Sequence, residues 1–412
     1  MIKLYDEIAS VNNLGDVRYD RDQKYLTQKE KKQAQENIGT FDDAFKNIEE
    51  ITLANIPIAE KSIRFSFDDL DFSPNFTNIC THGTWKKLAT HYSNVWDFVL
   101  NDGVTSLSGE FMYNNGQEAV FTNKRKGKII NSALAGITNF AGFMQSNSGL
   151  TEVWVLDTST ATTLDYAFMY CQNLSKIPDV ISCKAINNSN GLRGTFGYTK
   201  IKNLPAFDWG TNTYTSCSAK YLAVQNTALE NATLDCAHIN NLQQAFTKCY
   251  SLTTGNFTNT SHVTNFKQCF QQCCSLTECI IVDVSGATNL ESMYSGDDGA
   301  SATVNKHIVD MNIAELPTTF IFNSGNVNIA WMFAGCTNIK HIPNIAWPTV
   351  SDVACSFTNC YNLETGLLST YNALKAKLAT STTRTTNCFL NDDKSLDMAY
   401  IPESWGGKGP EE

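Results

Sequence analysis

Apolar positions recur along this chain in a fixed frame. "AFMYCQNL" sets Phe168, Cys171 and Leu174 three residues apart. The same spacing returns as Phe246, Cys249 and Leu252, as Phe270, Cys273 and Leu276, as Phe333, Cys336 and Ile339, and as Phe357, Cys360 and Leu363. Weaker copies carry Met144, Asn147 and Leu150, or Ala223, Asn226 and Leu229; Phe196 heads a copy one residue short, and Tyr294 a degraded one. Four residues before each frame residue lies another apolar one, such as Phe140, Leu164, Leu192, Leu242, Phe266, Leu290, Ile329 or Val353. Spacings of four and three predict a short helical turn with these side chains on one side. Polar stretches such as "DTSTATTL" precede the turn and supply capping oxygens. Pieces such as "SKIPDV" and "KHIPNIAWP" follow it and read as short strands, because proline after Ile suits a strand end.

From Met144 to Phe357 the frame residues are 24, 28, 27, 23, 24, 24, 39 and 24 residues apart. A period of this size lies in the leucine-rich-repeat range of about 20–29 residues. "WDFVLNDGVTSLSGEFMYNN" reads as a first, atypical copy ending at Phe111, and the 39-residue step as an insertion or degenerate coil. One such unit cannot close a core alone, so the units are expected to stack, Phe over Phe and Cys over Cys. Where Cys is absent Asn often stands, so that slot takes a small, partly polar side chain. In "KSIRFSFDDLDFSP", Ile63, Phe65 and Phe67 alternate with Arg64 and Ser66, the pattern of a half-buried strand. It predicts a small β cap over residues 51–91, ahead of a solenoid over 92–390. The tail, 391–412, is rich in Gly and Pro and reads as an extended end.

Composition narrows the function. Lys+Arg 31 against Asp+Glu 41 leaves a net charge of −10, which excludes a nucleic-acid backbone as main partner. No apolar run is long enough to insert in a membrane. The N-terminal residues lack a basic stretch followed by an apolar one, so no export leader is expected. Fourteen cysteines without such a leader read as reduced, buried thiols. They follow the repeat instead of converging at tetrahedral spacing, so no metal or cofactor is expected. Disulfides between neighbouring coils are the competing arrangement, since strands about 4.8 Å apart lie within reach of S–S geometry.

The repeats resemble BspA-like leucine-rich repeats, whose units read roughly Ala-Phe-x-x-Cys-x-x-Leu followed by an Ile-Pro strand. "TSHVTNFKQCF" and "DTSTATTLDYAF" are also similar to a related bacterial surface-protein repeat. This resemblance covers residues 92–390 and implies a leucine-rich-repeat solenoid, an α/β repeat of short strands and helical turns, with a binding role. A second resemblance is short. "YLTQKEKKQAQENIGT", residues 25–40, resembles a segment frequent in bacteriophage tail-fibre and other virion-fibre proteins, with Gln35 where Arg is usual. Thr27 and Glu30 form a capping box and Gly39 a C-terminal stop, predicting a helix over 27–38. Residues 1–50 are then a helical attachment and oligomerisation segment. The resemblance implies contact with other virion proteins, a homotrimer and localisation on a virion assembled in the bacterial host cytoplasm.

Searching for chemistry returns little. There is no phosphate loop, no Gly-x-Ser-x-Gly elbow and no His-Glu-x-x-His, and the six histidines are scattered. The acids of "SGDDGA" and "NDDKS" are adjacent in loops, whereas glycan hydrolysis needs two carboxylates facing a bond across a cleft. The chain is therefore expected not to be an enzyme. What varies between copies is the pair of residues after each Phe and the one after each Cys: Tyr170, Tyr198, Lys248, Tyr250, Gln271, Gln272 and Tyr361. A constant frame with changing side chains suits recognition, and Tyr170, Tyr198, Tyr250 and Tyr361 are the candidate receptor contacts. The expectation is a tail fibre that binds a host-surface glycan or protein. A head fibre or capsid decoration, a bacterial surface adhesin and a glycan-degrading tailspike are the alternatives.

Overall fold

The computed structural model describes residues 53, 55–76, 79–88, 94–112, 118–297 and 309–411. The chain divides into two units, Met1–Ile56 and Pro57–Glu412. The expected fibre-type segment and its helix over 27–38 lie outside the described residues.

The described residues from 57 to 411 form a repeat solenoid with one continuous apolar core from Ile63 to Trp405. It opens on a five-stranded sheet in the order β2 (Gly83–Lys87), β3 (Val95–Leu100), β1 (Ser62–Phe67), β4 (Gly127–Ala133) and β5 (Leu150–Val153). β1 pairs antiparallel with β3 and β4, and β2 pairs antiparallel with β3. β4 then pairs parallel with β5, so the cap sheet becomes the first solenoid strand without a break. The expected boundary at residue 92 falls between β2 and β3, neighbours in this one sheet. Ile63, Phe65 and Phe67 face the core, as their alternation predicts. Arg64 on the other face is also fully buried, a correction to the half-buried reading. Its Nε and second guanidinium nitrogen donate to the two oxygens of Asp97 at 2.8 and 2.9 Å, and it also donates to the Pro57 carbonyl. A planar fork paired in this way can be buried where a lone cation cannot.

Beyond β5 the strands are short and parallel: β6 (Val180–Ser182) with β7 (Ala206–Asp208), β8 (Cys217–Ser218) with β10 (Ile239–Asn241), and β9 (Asn231–Asp235) with β11 (Thr254–Thr258). β12 (Asp283–Val284) pairs with β13 (Ile321–Phe322), and β14 (Asn326–Asn328) with β15 (Thr349–Asp352).

The expected helical turns are absent; the frame segments are chains of four-residue β-turns. In the Phe168 coil, Ala167 N–H donates to Leu164 O, Met169 N–H to Tyr166 O and Cys171 N–H to Phe168 O. The intervening N–H groups of Leu164, Tyr166, Phe168 and Tyr170 donate instead to Gly191, Arg193, Thr195 and Gly197 of the next coil, at 2.7 to 3.0 Å. The three turns overlap, and the first and last of them, 164–167 and 168–171, each have a left-handed third residue, as a type II turn needs, so the spacing of four and three arises from turns. Those residues lie two before and two after the frame position: Tyr166 and Tyr170, Gln244 and Lys248, Gln268 and Gln272, Cys355 and Asn359, Asn387 and Asn391 all have φ between 55° and 68°. Each costs about 1–2 kcal/mol for a non-glycine residue. The inter-coil hydrogen bonds hold them there.

The polar residue five before the frame position has a specific task. Asn139, Asn241, Asn265, Asn289, Asn328 and Asp352 each accept, through Oδ1, the N–H two residues on. These Asx turns start the β-turn run, so the capping oxygens expected from the sequence act on turns.

The frame rings stack as expected. Phe246 and Phe270 lie 5.5 Å apart at 7°, Phe270 and Tyr294 5.4 Å at 14°, and Phe357 and Phe389 5.8 Å at 6°. Tyr294 and Phe333 stay parallel at 6.1 Å, so the long step between them leaves the register intact. The ladder extends one coil past the expected repeats, to Phe389. It is interrupted at Ala223.

The tail is not extended. Trp405 is buried, its carbonyl accepts the Phe389 N–H, and its ring meets Tyr371 edge-on at 5.0 Å. Tyr371 belongs to α1 (Leu367–Lys375), which buries Leu367, Tyr371 and Leu374. Gly366 precedes it with φ 90°, and a Cβ there would meet the Ile342 carbonyl oxygen at 2.2 Å. Helix and tail together close the open end that a solenoid must shield.

Candidate functional site: an outer cleft at the shortened coil

All fourteen cysteines are free, and all but Cys274 are buried. The frame thiols share one partner. Cys249 Sγ donates to the Ala223 carbonyl at 3.1 Å, Cys273 to Phe246 at 3.0 Å and Cys360 to Phe333 at 3.3 Å; in each case this is the frame residue of the preceding coil. Cys171 and Cys336 do the same to Met144 and Tyr294. Asn147 Nδ2 donates to Phe111 O at 2.8 Å from the same slot, which explains how Asn replaces Cys. The slot needs a small donor for a carbonyl turned into the core. Burial holds the Cys171, Cys273 and Cys360 thiols well above the usual range, so they stay protonated donors. Among the described residues no group of three or more His, Cys, Asp or Glu could hold a metal ion.

The variable positions divide. Tyr170, Tyr250 and Tyr361 are 37%, 38% and 41% exposed. Tyr198 is half-buried and packs on Tyr170, ring centroids 4.5 Å apart. Tyr250 and Tyr361 lie on later coils. Gln271 and Gln272, expected at the surface, are 3% and 1% exposed. Their amides donate inward to the Asp297 and Gly296 carbonyls of the next coil.

Beside the Tyr170–Tyr198 pair opens a cleft of about 350 Å³, lined by Asn123, Gln172, Asn173, Tyr198, Thr199, Lys200, Gln225 and Thr227. Its origin is visible in the frame. Gln172 and Asn173 separate Cys171 from Leu174, and Thr227 and Ala228 separate Asn226 from Leu229. Between those coils, Lys200 alone separates Thr199 from Ile201. The missing residue leaves a gap in the outer row.

The walls are fixed. Asn173 Nδ2 donates to Ser148 O at 2.7 Å and to Asn123 Oδ1 at 3.3 Å. Lys200 N–H donates to Leu174 O at 2.8 Å, and its ammonium lies 3.4 Å from Asn173 Oδ1. The Tyr198 hydroxyl interacts with Tyr170 and Gln225; burial foremost, then Tyr170, raises its pKa, so it stays neutral. Amides, a hydroxyl, a phenol and an ammonium offer donors and acceptors beside an aromatic edge. No carboxylate or imidazole lines the cleft. The sequence named Tyr170 and Tyr198 but neither the cleft nor its amides; the one-residue deletion after Thr199 was the available signal.

The chain matches the family model described as "Mycoplasma protein of unknown function, DUF285" over residues 240–365, the coils of Phe246 to Phe357. The cleft lies outside that match. No curated protein matches the chain. A leucine rich cell surface protein of Faecalibacterium prausnitzii A2-165 aligns at 13% identity, covering 64% of this chain and 97% of its own, with a TM-score of 0.20. The solenoid assignment therefore rests on the coils themselves.

Proposed function

We propose that this protein is a non-enzymatic recognition solenoid that binds a surface glycan in the cleft beside Tyr170 and Tyr198. The carrying observation is the cleft's chemistry. Planar amides and hydroxyls suit the adjacent hydroxyls of a sugar, and a half-buried phenol gives contact area at small entropic cost. General acid–base cleavage needs paired carboxylates across the bond, and the lining has none. Tyr250 and Tyr361 extend the outward aromatic surface to later coils.

Whether the carrier is a virion fibre or a bacterial surface adhesin turns on the N-terminal segment. The tail-fibre reading rests on the sequence of residues 25–40, and with it attachment to other virion proteins and a homotrimer. Three linked copies would strengthen a weak single-site interaction by effective concentration. The test uses the full chain on a glycan array and on bacterial cells, with release of reducing sugar followed in parallel. Binding that Tyr198→Ala abolishes while the circular dichroism spectrum is kept, and no sugar release, is the expected result. Turnover of any bound glycan, or binding indifferent to Tyr198, overturns the reading.

A further inference from the structure

The chain carries a net charge of −10, yet the rim of the cleft is basic. Asn123, on the cleft wall, opens the run "NKRKGK" over residues 123–128. Thr122 and Arg125 exchange both backbone hydrogen bonds, at 2.9 and 3.0 Å, so Asn123 and Lys124 form the tip of a tight turn. Lys124 and Lys126 are exposed there, and so are Lys176 and Lys200 on the neighbouring coils. Three acids of these coils are already engaged. Glu118 pairs with Arg125 at 3.4 Å, Glu152 with Lys128 at 3.1 Å and Glu230 with Lys202 at 2.8 Å. Glu152 also accepts the Trp154 indole N–H, and the Lys176 ammonium sits 4.9 Å from the centre of that ring. Among the described residues, Lys124, Lys126 and Lys200 have no carboxylate partner. Lys200 is the single cation inside the cleft.

We infer that the cleft selects an acidic glycan, one whose sugar ring carries a carboxylate, with Lys200 as its counter-ion and Lys124 at the rim drawing the chain in. This rests on the glycan reading above and names the class of sugar. A neutral sugar would leave Lys200 against an amide oxygen at 3.4 Å, whereas a carboxylate gives it a charge-assisted partner. The ring would sit against Tyr198, and Asn173, Gln172 and Gln225 would take its hydroxyls. The net negative charge of the chain would disfavour the same polymer away from this basic rim.

The test measures affinity of the full chain by biolayer interferometry. The probes are a hyaluronan octasaccharide, which carries uronate carboxylates, dextran sulfate, which carries sulfates, and neutral maltooctaose. The uronate probe should bind at least about tenfold tighter than the neutral one, and the gap should close as salt is raised. Lys200→Gln should weaken the uronate probe about fivefold, as loss of one exposed ion pair allows, and weaken maltooctaose by clearly less; Lys200→Arg should restore most of the loss. Equal affinity for charged and neutral probes, no effect of Lys200→Gln, or tight binding of dextran sulfate alone overturns the carboxylate assignment. In the first two cases, a loss of all binding in Tyr198→Ala would leave the glycan reading standing. If no probe binds and no array glycan binds, both fall.

Discussion

Phe270→Ala is the sharpest test of the stacking account. The ring is fully buried. It is stacked between Phe246 at 5.5 Å and Tyr294 at 5.4 Å, with Phe257 edge-on at 5.5 Å and 80°. Truncating a buried Phe to Ala costs about 3–5 kcal/mol, and a coil held on both sides by neighbouring coils collapses poorly into the cavity. The upper half of that range is therefore expected. Phe246 supplies an internal control. It has Phe270 on one side and the Phe257 edge, but its other neighbour in the ladder is Ala223. With one ring pair fewer, Phe246→Ala should cost less than Phe270→Ala by about 0.5–1.5 kcal/mol. Urea unfolding of the full chain, followed by circular dichroism and by tryptophan fluorescence, reads both. Because coils depend on nearest neighbours, the transition of Phe270→Ala should also broaden or split. A loss below about 1 kcal/mol, or the reverse order of the two variants, would refute the ladder as a source of stability.

Thiol reagent should label about one cysteine in the native protein, Cys274, and all fourteen after denaturation, with no stoichiometric zinc by elemental analysis. Cys273→Ser should keep the hydrogen bond to the Phe246 carbonyl and cost less than Cys273→Ala, which leaves that acceptor one donor short. Asp392 occupies the thiol slot of the last coil; burial, followed by Asp393, raises its pKa well above the ordinary carboxylate value, against the Cys360 N–H that lowers it. A raised native pKa contributes stability below the unfolded value of about 4, and that contribution is lost as pH rises through the native value. Asp392→Asn should therefore raise the urea midpoint at pH 7 and flatten its dependence on pH above 4; an unchanged or lower midpoint at pH 7 would count against a neutral Asp392. A fragment of residues 57–412 should give the same ordered circular dichroism signal per residue as that stretch in the whole chain, and an unfolded spectrum would show that the solenoid needs the preceding segment.

Much of the solenoid was legible because its core obeys a rule that repeats. Phe168, Phe246, Phe270, Phe333 and Phe357 announce a column, and a column of rings has no other use in a chain this long. The backbone between them was misread for a physical reason. Apolar residues at spacings of four and three mark one side of a helix, but a run of overlapping β-turns, alternate ones with a left-handed third residue, brings the same positions to one side. Tyr166, Tyr170, Lys248 and Gln272 carry no sequence mark of positive φ, since Gly or Asn is the usual sign. Only the inter-coil hydrogen bonds, invisible in sequence, make those residues adopt it. Burial of Gln271 and Gln272 escaped notice for a related reason: the partners that satisfy their amides are carbonyls of the next coil.

The cleft shows where irregularity is more informative than the rule. Each full copy places two residues between the Cys-slot residue and the following apolar one. The Phe196 copy places one. A deletion inside a repeat is cheap for the core, because Thr199 and Ile201 stay buried and Thr199 Oγ1 donates to Phe196 O of its own coil at 2.9 Å. Its effect falls on the surface, where one side chain is missing from the row and Lys200 lies in the gap. Restoring the row is a direct test of that origin. Inserting one Asn between Lys200 and Ile201 gives the copy its full length, keeps Tyr198 and Lys200, and should fill the cleft while leaving the unfolding free energy within about 1 kcal/mol of the parent. Loss of glycan binding in that variant ties recognition to the deletion. Retained binding, with the fold intact, would move the site elsewhere on the solenoid.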